Sequence, residues 1–98
     1  MQNLKNENVL RVKIVTPDNE PAEFICDSVN FKIKDGQKGN EGGAYGVRPG
    51  HTKAVFTLDK GEIVGFLNGD RQFSYIVNGG FARLENNNFT FVCESITQ

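Results

Sequence analysis

The sequence predicts an all-β chain folded as an antiparallel β-sandwich, with about eight to ten short strands in two sheets. Three observations carry that expectation. Apolar and polar residues alternate along most of the chain, and Gly, Pro and Asn interrupt it about every ten residues. No breaker-free stretch keeps apolar positions at helical spacing for the roughly ten residues a helix needs.

The elements follow in order. Residues 1–8, polar and Asn-rich, read as a flexible lead-in. Leu10, Val12 and Ile14 alternate with Arg11 and Lys13 to give a strand with one apolar face, closed by Pro17-Asp18-Asn19. Val29, Phe31 and Ile33 repeat the pattern against Asn30, Lys32 and Lys34. From Asp35 to Gly50 the rhythm stops: DGQKGNEGGAYGVRPG holds six glycines in sixteen residues and reads as one long loop. It is either a plain surface connection or a contact loop on a rigid scaffold. It is not a phosphate loop, which needs Gly-Lys-Ser/Thr opening a helix so that backbone amides meet the anion. Ala54, Phe56 and Leu58, then Ile63 to Leu67, supply two more strands. Asn68-Gly69-Asp70 leads to Phe73, Tyr75 and Val77, and Asn78-Gly79-Gly80 follows. The stretch from Phe81 to Gln98 is divided by Asn86-Asn87-Asn88, after which Phe89, Phe91 and Cys93 form the closing strand and residues 96–98 remain as a tail. Gly and Asn tolerate the positive φ of tight turns, so hairpins are expected to join neighbours. Strands with one apolar face bury it only by packing sheet on sheet.

Length and composition agree. Ninety-eight residues make one domain, and 38% hydrophobic content with eight Phe and two Tyr suffices for a compact core, which excludes whole-chain disorder. A net charge of −1 gives no electrostatic footprint for nucleic acid. The start lacks the apolar run of a signal peptide and nothing approaches a membrane span, so a soluble, cytoplasmic chain is expected. Cys26 and Cys93 lie far apart without metal-type spacing and read as small buried apolar residues. His51 is the one histidine, so any imidazole chemistry must use it, and Ser28, Ser74, Ser95 or a cysteine would have to be the nucleophile. None sits in a nucleophile elbow. The carboxylates are scattered and no calcium loop is present, so no catalytic residue, metal or cofactor is expected.

Several motifs go further. Val12-Lys13-Ile14-Val15-Thr16-Pro17, then Gly43-Ala44-Tyr45-Gly46-Val47-Arg48-Pro49-Gly50-His51, Leu58-Asp59-Lys60-Gly61, Asn78-Gly79-Gly80-Phe81 and the closing strand Asn88 to Glu94 occur in that order. In this the chain resembles the N-terminal β-domain of the epsilon subunit of F-type ATP synthase, over roughly residues 9 to 95. Physically, Gly43 and Gly46 are expected to let the backbone turn tightly, Pro49 to fix φ, and Gly50 to set the angle at which His51 enters the next strand. Gly79 and Gly80 suit a hairpin or bulge that re-aims Phe81.

The resemblance implies a non-catalytic part of the rotating central stalk, packed on the gamma subunit and resting on the polar loops of the c-ring, peripheral to the cytoplasmic face of a bacterial membrane through the complex. Thr16, His51 and Asn78 match positions near the gamma-facing side. The loop carrying Lys38, Glu41, Ala44 and Tyr45 matches the c-ring-facing end.

Three departures from the family pattern stand out. Lys53 takes the place where the family usually has Pro, and the glycine-rich loop with Lys34, Asp35, Lys38 and Glu41 is longer than expected, which implies a larger footprint on the ring. Only Ser95-Ile96-Thr97-Gln98 follows the last strand, where the family commonly has a helical hairpin of about 25 residues that inhibits ATP hydrolysis and in some members binds ATP. No nucleotide binding is therefore expected of this chain. Two other functions compete: a free-standing sandwich that binds a ligand such as carbohydrate, and a hydrolase using His51. The first usually displays an exposed aromatic platform, whereas this chain has no Trp and most of its Phe fall on inward positions.

Overall fold

A computed structural model describes residues 9–34 and 43–97. They form ten strands: β1 Leu10–Val15, β2 Ala22–Cys26, β3 Ser28–Ile33, β4 Gly43–Val47, β5 Ala54–Leu58, β6 Gly61–Leu67, β7 Asp70–Val77, β8 Gly80–Glu85, β9 Asn88–Cys93 and β10 Ile96–Thr97. No helix occurs among the described residues, and so none that could cross a membrane.

The strands hydrogen-bond in the order β10-β7-β6-β3-β5-β8-β9-β1-β2, with β4 on the outside of β3. The two layers of the sandwich are thus halves of one curled sheet. The register shows how it curls. Leu58 pairs with Gly80 and Gly61 with Val77; Gly80 pairs with Cys93 and Val77 with Ile96. Pairing resumes without slippage on the far side of each gap. So β5 and β6 are one strand bent at residues 59–60, β7 and β8 one bent at 78–79, and β9 and β10 one bent at 94–95. These bends lie side by side along a single fold line. At the opposite end of the sandwich lie Asp27, the connection 48–53, and the turns at 68–69 and 86–87.

Four expectations are corrected here. The chain does not run as hairpins throughout: Asn78-Gly79-Gly80 bends a strand from one layer into the other, since β7 and β8 do not pair with each other. The glycine-rich stretch is not all loop, because Gly43–Val47 adds an edge strand to β3. The pairing is antiparallel except between β1 and β9, which run parallel because β1 inserts between β2 and β9. Finally, Ile96 and Thr97 extend the sheet along β7 rather than trailing as a tail.

The alternation read from the sequence is the burial found. Leu10, Val12, Ile14, Val29, Phe31, Ile33, Ala54, Phe56, Leu58, Ile63, Phe73, Tyr75, Val77, Phe89, Phe91 and Cys93 all face the core. The layers are joined by rings: Phe31 of β3 meets Phe56, Phe89 and Phe91 edge-on, and Phe24 of β2 stacks on Phe73 of β7 at 4.6 Å. Gly65 is needed for that second contact, because a Cβ there would lie 2.3 Å from the Phe73 ring and 2.7 Å from the Cys26 sulfur.

Both cysteines are free and buried. Burial, helped at Cys26 by the Asp27 carboxylate, pushes each thiol from 9.0 up to about 11. Unfolded thiols ionise near 9.0 while the folded ones stay protonated, so the unfolded state binds fewer protons above pH 9 and stability falls as pH rises toward about 11. A thiol reagent at neutral pH is expected to label neither cysteine in the native protein and both in denaturant; rapid native labelling would contradict this burial.

Candidate functional site

The outer face of the β5-β8-β9-β1 layer carries an apolar strip where an alternating strand should show polar groups. Val92 pairs with Phe81 on one side and with Val15 on the other, placing the three in one row across β8, β9 and β1. Phe81 is 46% exposed, and Val55 on β5, one row further from the fold line, is 63% exposed. Val15, Thr16, Pro17, Gly80, Phe81, Val92, Cys93 and Glu94 line a shallow cleft of about 410 Å³ beside the fold line. Val55 shares its row with Arg83, Thr90 and Lys13, so two cations border the apolar strip there. Arg83 lies 3.3 Å from Glu85, and Lys53 reaches Glu85 at 3.8 Å. Such exposed pairs contribute little to stability. Among the described residues Lys13 has no ion-pair partner.

The residues singled out from the sequence fall in several places. Thr16 is buried at the edge of this cleft, its hydroxyl accepting a hydrogen bond from Asn19 at 3.4 Å within the β1–β2 turn. Asn78 is exposed on the fold line, two residues before Gly80. His51 lies at the other end of the sandwich, so the fold separates it from Thr16 and Asn78. There, Gly50 (φ 87°) donates its backbone N–H to Asn87 Oδ1 at 2.9 Å, and the His51 ring meets the edge of Tyr45 at 6.3 Å. The cleft at that end is lined by Gly50, His51, Thr52, Lys53, Glu85, Asn86 and Asn87. None of the serines or cysteines considered as nucleophiles lines it. Among the described residues no group of three His, Cys, Asp or Glu is placed to hold a metal.

Lys38 and Glu41 lie outside the described residues. Ala44 is exposed on β4, but Tyr45 is half-buried, packing on Phe31 and Phe56 at 5.8 and 5.1 Å, and so belongs mainly to the core. Gly43 and Gly46 are strand residues rather than turn residues. Gly46 is small for another reason: a Cβ there would lie 2.9 Å from Asn30 Oδ1 on the neighbouring strand. Pro49 and Gly50 do form the turn before β5, and Gly79 and Gly80 carry φ of 107° and 135° at the fold line. Sequence reasoning missed the apolar strip. The signal was present, since Ala82 and Leu84 facing inward oblige Phe81 to face outward.

Residues 9–98 match the family model described as the ATP synthase delta/epsilon chain, β-sandwich domain. The chain belongs to that family. Among curated relatives of this delta/epsilon β-sandwich, the ATP synthase epsilon chain of Levilactobacillus brevis is 31% identical over 90 residues, covering 92% of this chain and 59% of its own length. The fold of the delta/epsilon domain recurs in solved assemblies. A chain of the Euglena gracilis mitochondrial ATP synthase OSCP/F1/c-ring structure superposes with a TM-score of 0.72 at 18% identity, over 92% of this chain and 53% of that one. A chain of the Tetrahymena thermophila mitochondrial ATP synthase central stalk/c-ring structure gives 0.70 at 12% identity, over 91% and 66%. The domain described here therefore spans about half to two thirds of the proteins it matches.

Proposed function

We propose that this delta/epsilon β-sandwich is a non-catalytic rotor part of an F-type ATP synthase, docking on the gamma subunit and the c-ring so that ion flow is coupled to ATP synthesis. Family membership over residues 9–98 carries the reading. The apolar strip supports it, because exposed Phe81 in one row with half-buried Val92 and Val15, on an otherwise alternating sheet, is the mark of a covered surface. Gamma takes that strip, with Thr16 holding the cleft edge from within and Asn78 at the rim; His51, at the other end, belongs to a separate contact or to the turn alone. The ring contact is assigned to Lys38, Glu41 and Ala44, of which Ala44 lies on β4 toward the fold-line end. The complex holds the domain at the cytoplasmic face of the bacterial membrane.

The test is co-purification of the chain with gamma and c-ring from its own complex. Phe81→Ser is expected to weaken gamma binding at least tenfold while moving the melting temperature little, since Phe81 is a central aromatic of the strip and half exposed in the free chain. Unchanged gamma binding in that variant would remove the strip from the interface. Reversing the charges of Lys38 and Glu41 together is the corresponding test of the ring contact, and ring binding that survived it would count against that assignment.

A further inference from the structure

We infer that Asn78 is a site of self-catalysed deamidation, selected by the fold over the second Asn-Gly dipeptide of the chain, Asn68-Gly69. The two dipeptides are chemically alike and conformationally opposite. Asn68 and Gly69 form the two-residue turn of the β6–β7 hairpin, with φ of 53° and 84°, closed by the Leu67–Asp70 pair. The Asn68 backbone N–H is held by Asp27 Oδ2 at 2.9 Å. That turn is held by its closing strand pair and by Asp27.

Asn78 and Gly79 instead sit on the fold line, in the gap where sheet pairing lapses between Val77 and Gly80. Asn78 is exposed, and neither residue takes part in a turn, loop or side-chain hydrogen bond with any described residue. Gly79 is also open to approach: the nearest atom to a Cβ built on it is Leu58 O at 3.9 Å. Its φ of 107° is reached at little cost by Gly alone, so the nucleophilic nitrogen is flanked by no side chain.

The chemistry needs only water. The Gly79 amide nitrogen, losing its proton, attacks Asn78 Cγ; the Cγ–Nδ2 bond breaks, the nitrogen leaves as ammonia, and a five-membered succinimide remains. Water then opens the ring at one carbonyl or the other, giving an aspartyl or an isoaspartyl residue at position 78. Either product adds one negative charge. The isoaspartyl form also lengthens the main chain by one methylene at residue 78, one residue ahead of Gly80, which is wedged with its Cα against the Val92 carbonyl and aims Phe81 outward. Deamidation therefore alters the rim of the apolar strip, and gamma seated there would shield it. These two consequences rest on the docking reading; the deamidation itself does not.

The experiment incubates the purified chain at mildly alkaline pH, native and in denaturant, and reads positions 68 and 78 by peptide mass mapping and by isoaspartyl methyltransferase labelling. Position 78 is expected to convert several-fold faster than 68 in the native protein, with the two rates converging in denaturant. Equal or faster native conversion at 68, or native silence at 78 while the denatured chain reacts at both, overturns the inference. Asn78→Gln, which would have to close a less favourable six-membered ring, is expected to lose the signal at 78 and keep that at 68. Undiminished conversion in that variant would rule out the succinimide route. Shielding by gamma is scored separately, so its absence bears on the docking surface alone.

Discussion

Phe31→Ala is expected to lower the unfolding free energy by about 3–5 kcal/mol, a large share of what a domain of this size possesses. Phe31 is 1% exposed and lies on β3, the strand that pairs with β4, β5 and β6. Its ring meets Tyr45 at 5.8 Å, Phe56 at 5.2 Å and both Phe89 and Phe91 at 5.5 Å, so one side chain links four others across the two layers. Removing it empties the centre of the sandwich, and the surrounding rings lie on strands whose register prevents them from collapsing inward. Edge-on geometry with several partners adds about 0.5–1.5 kcal/mol per pair to what the buried area alone contributes, which places the loss toward the upper end. Urea titration followed by far-UV circular dichroism measures it. Phe31→Leu, which keeps most of the volume, should cost clearly less. A cost of about 1 kcal/mol or less for the alanine variant would mean that the core is not organised around this ring.

The contrast between Phe31 and Phe81 shows how far the sequence could be read. Both stand in alternating strands, and the alternation decides their fates: Val29 and Ile33 draw Phe31 inward, while Ala82 and Leu84 leave Phe81 outside. Local periodicity of that kind was enough for the core. It was not enough where apolar residues fall on both faces. In β2, Phe24 and Cys26 turn inward while Ile25 stays 45% exposed, so no alternation announces a strand. Nor was it enough where glycine serves a neighbour rather than a turn, as Gly46 does for Asn30. Register lies further out of reach. Asn68-Gly69 and Asn78-Gly79 give the same local signal, yet one closes a hairpin and the other bends a strand through the fold line, because the difference resides in which distant residues pair on either side. The parallel β1–β9 contact has the same origin. His51, Thr16 and Asn78 share a resemblance to one family surface, but only the folded chain reveals that His51 lies at the opposite end from the other two.

Gly80→Ala is the second large effect expected, and it comes from backbone geometry rather than from the core. At φ 135° an L side chain is strained, at a cost of about 1–3 kcal/mol. Steric overlap costs more than that strain: a Cβ would stand 2.1 Å from the Val92 carbonyl oxygen, 3.0 Å from Cys93 Cα and 3.1 Å from the Val92 carbonyl carbon. All three atoms are backbone, so no side chain can swing aside, and β8 must part from β9 at the fold line. The total is expected to exceed about 3 kcal/mol, and the separation should also spread the Phe81–Val92 pair of the apolar strip. Gly50→Ala isolates the conformational part. Gly50 has φ 87°, but nothing lies within 4 Å of a Cβ built there, so its replacement should cost only about 1–2 kcal/mol. Denaturant midpoints of the two variants, measured side by side, separate close approach from dihedral strain. If both cost the same, the contact with Val92 is not what reserves position 80 for glycine, and the fold line is held by something other than the tight abutment of β8 on β9.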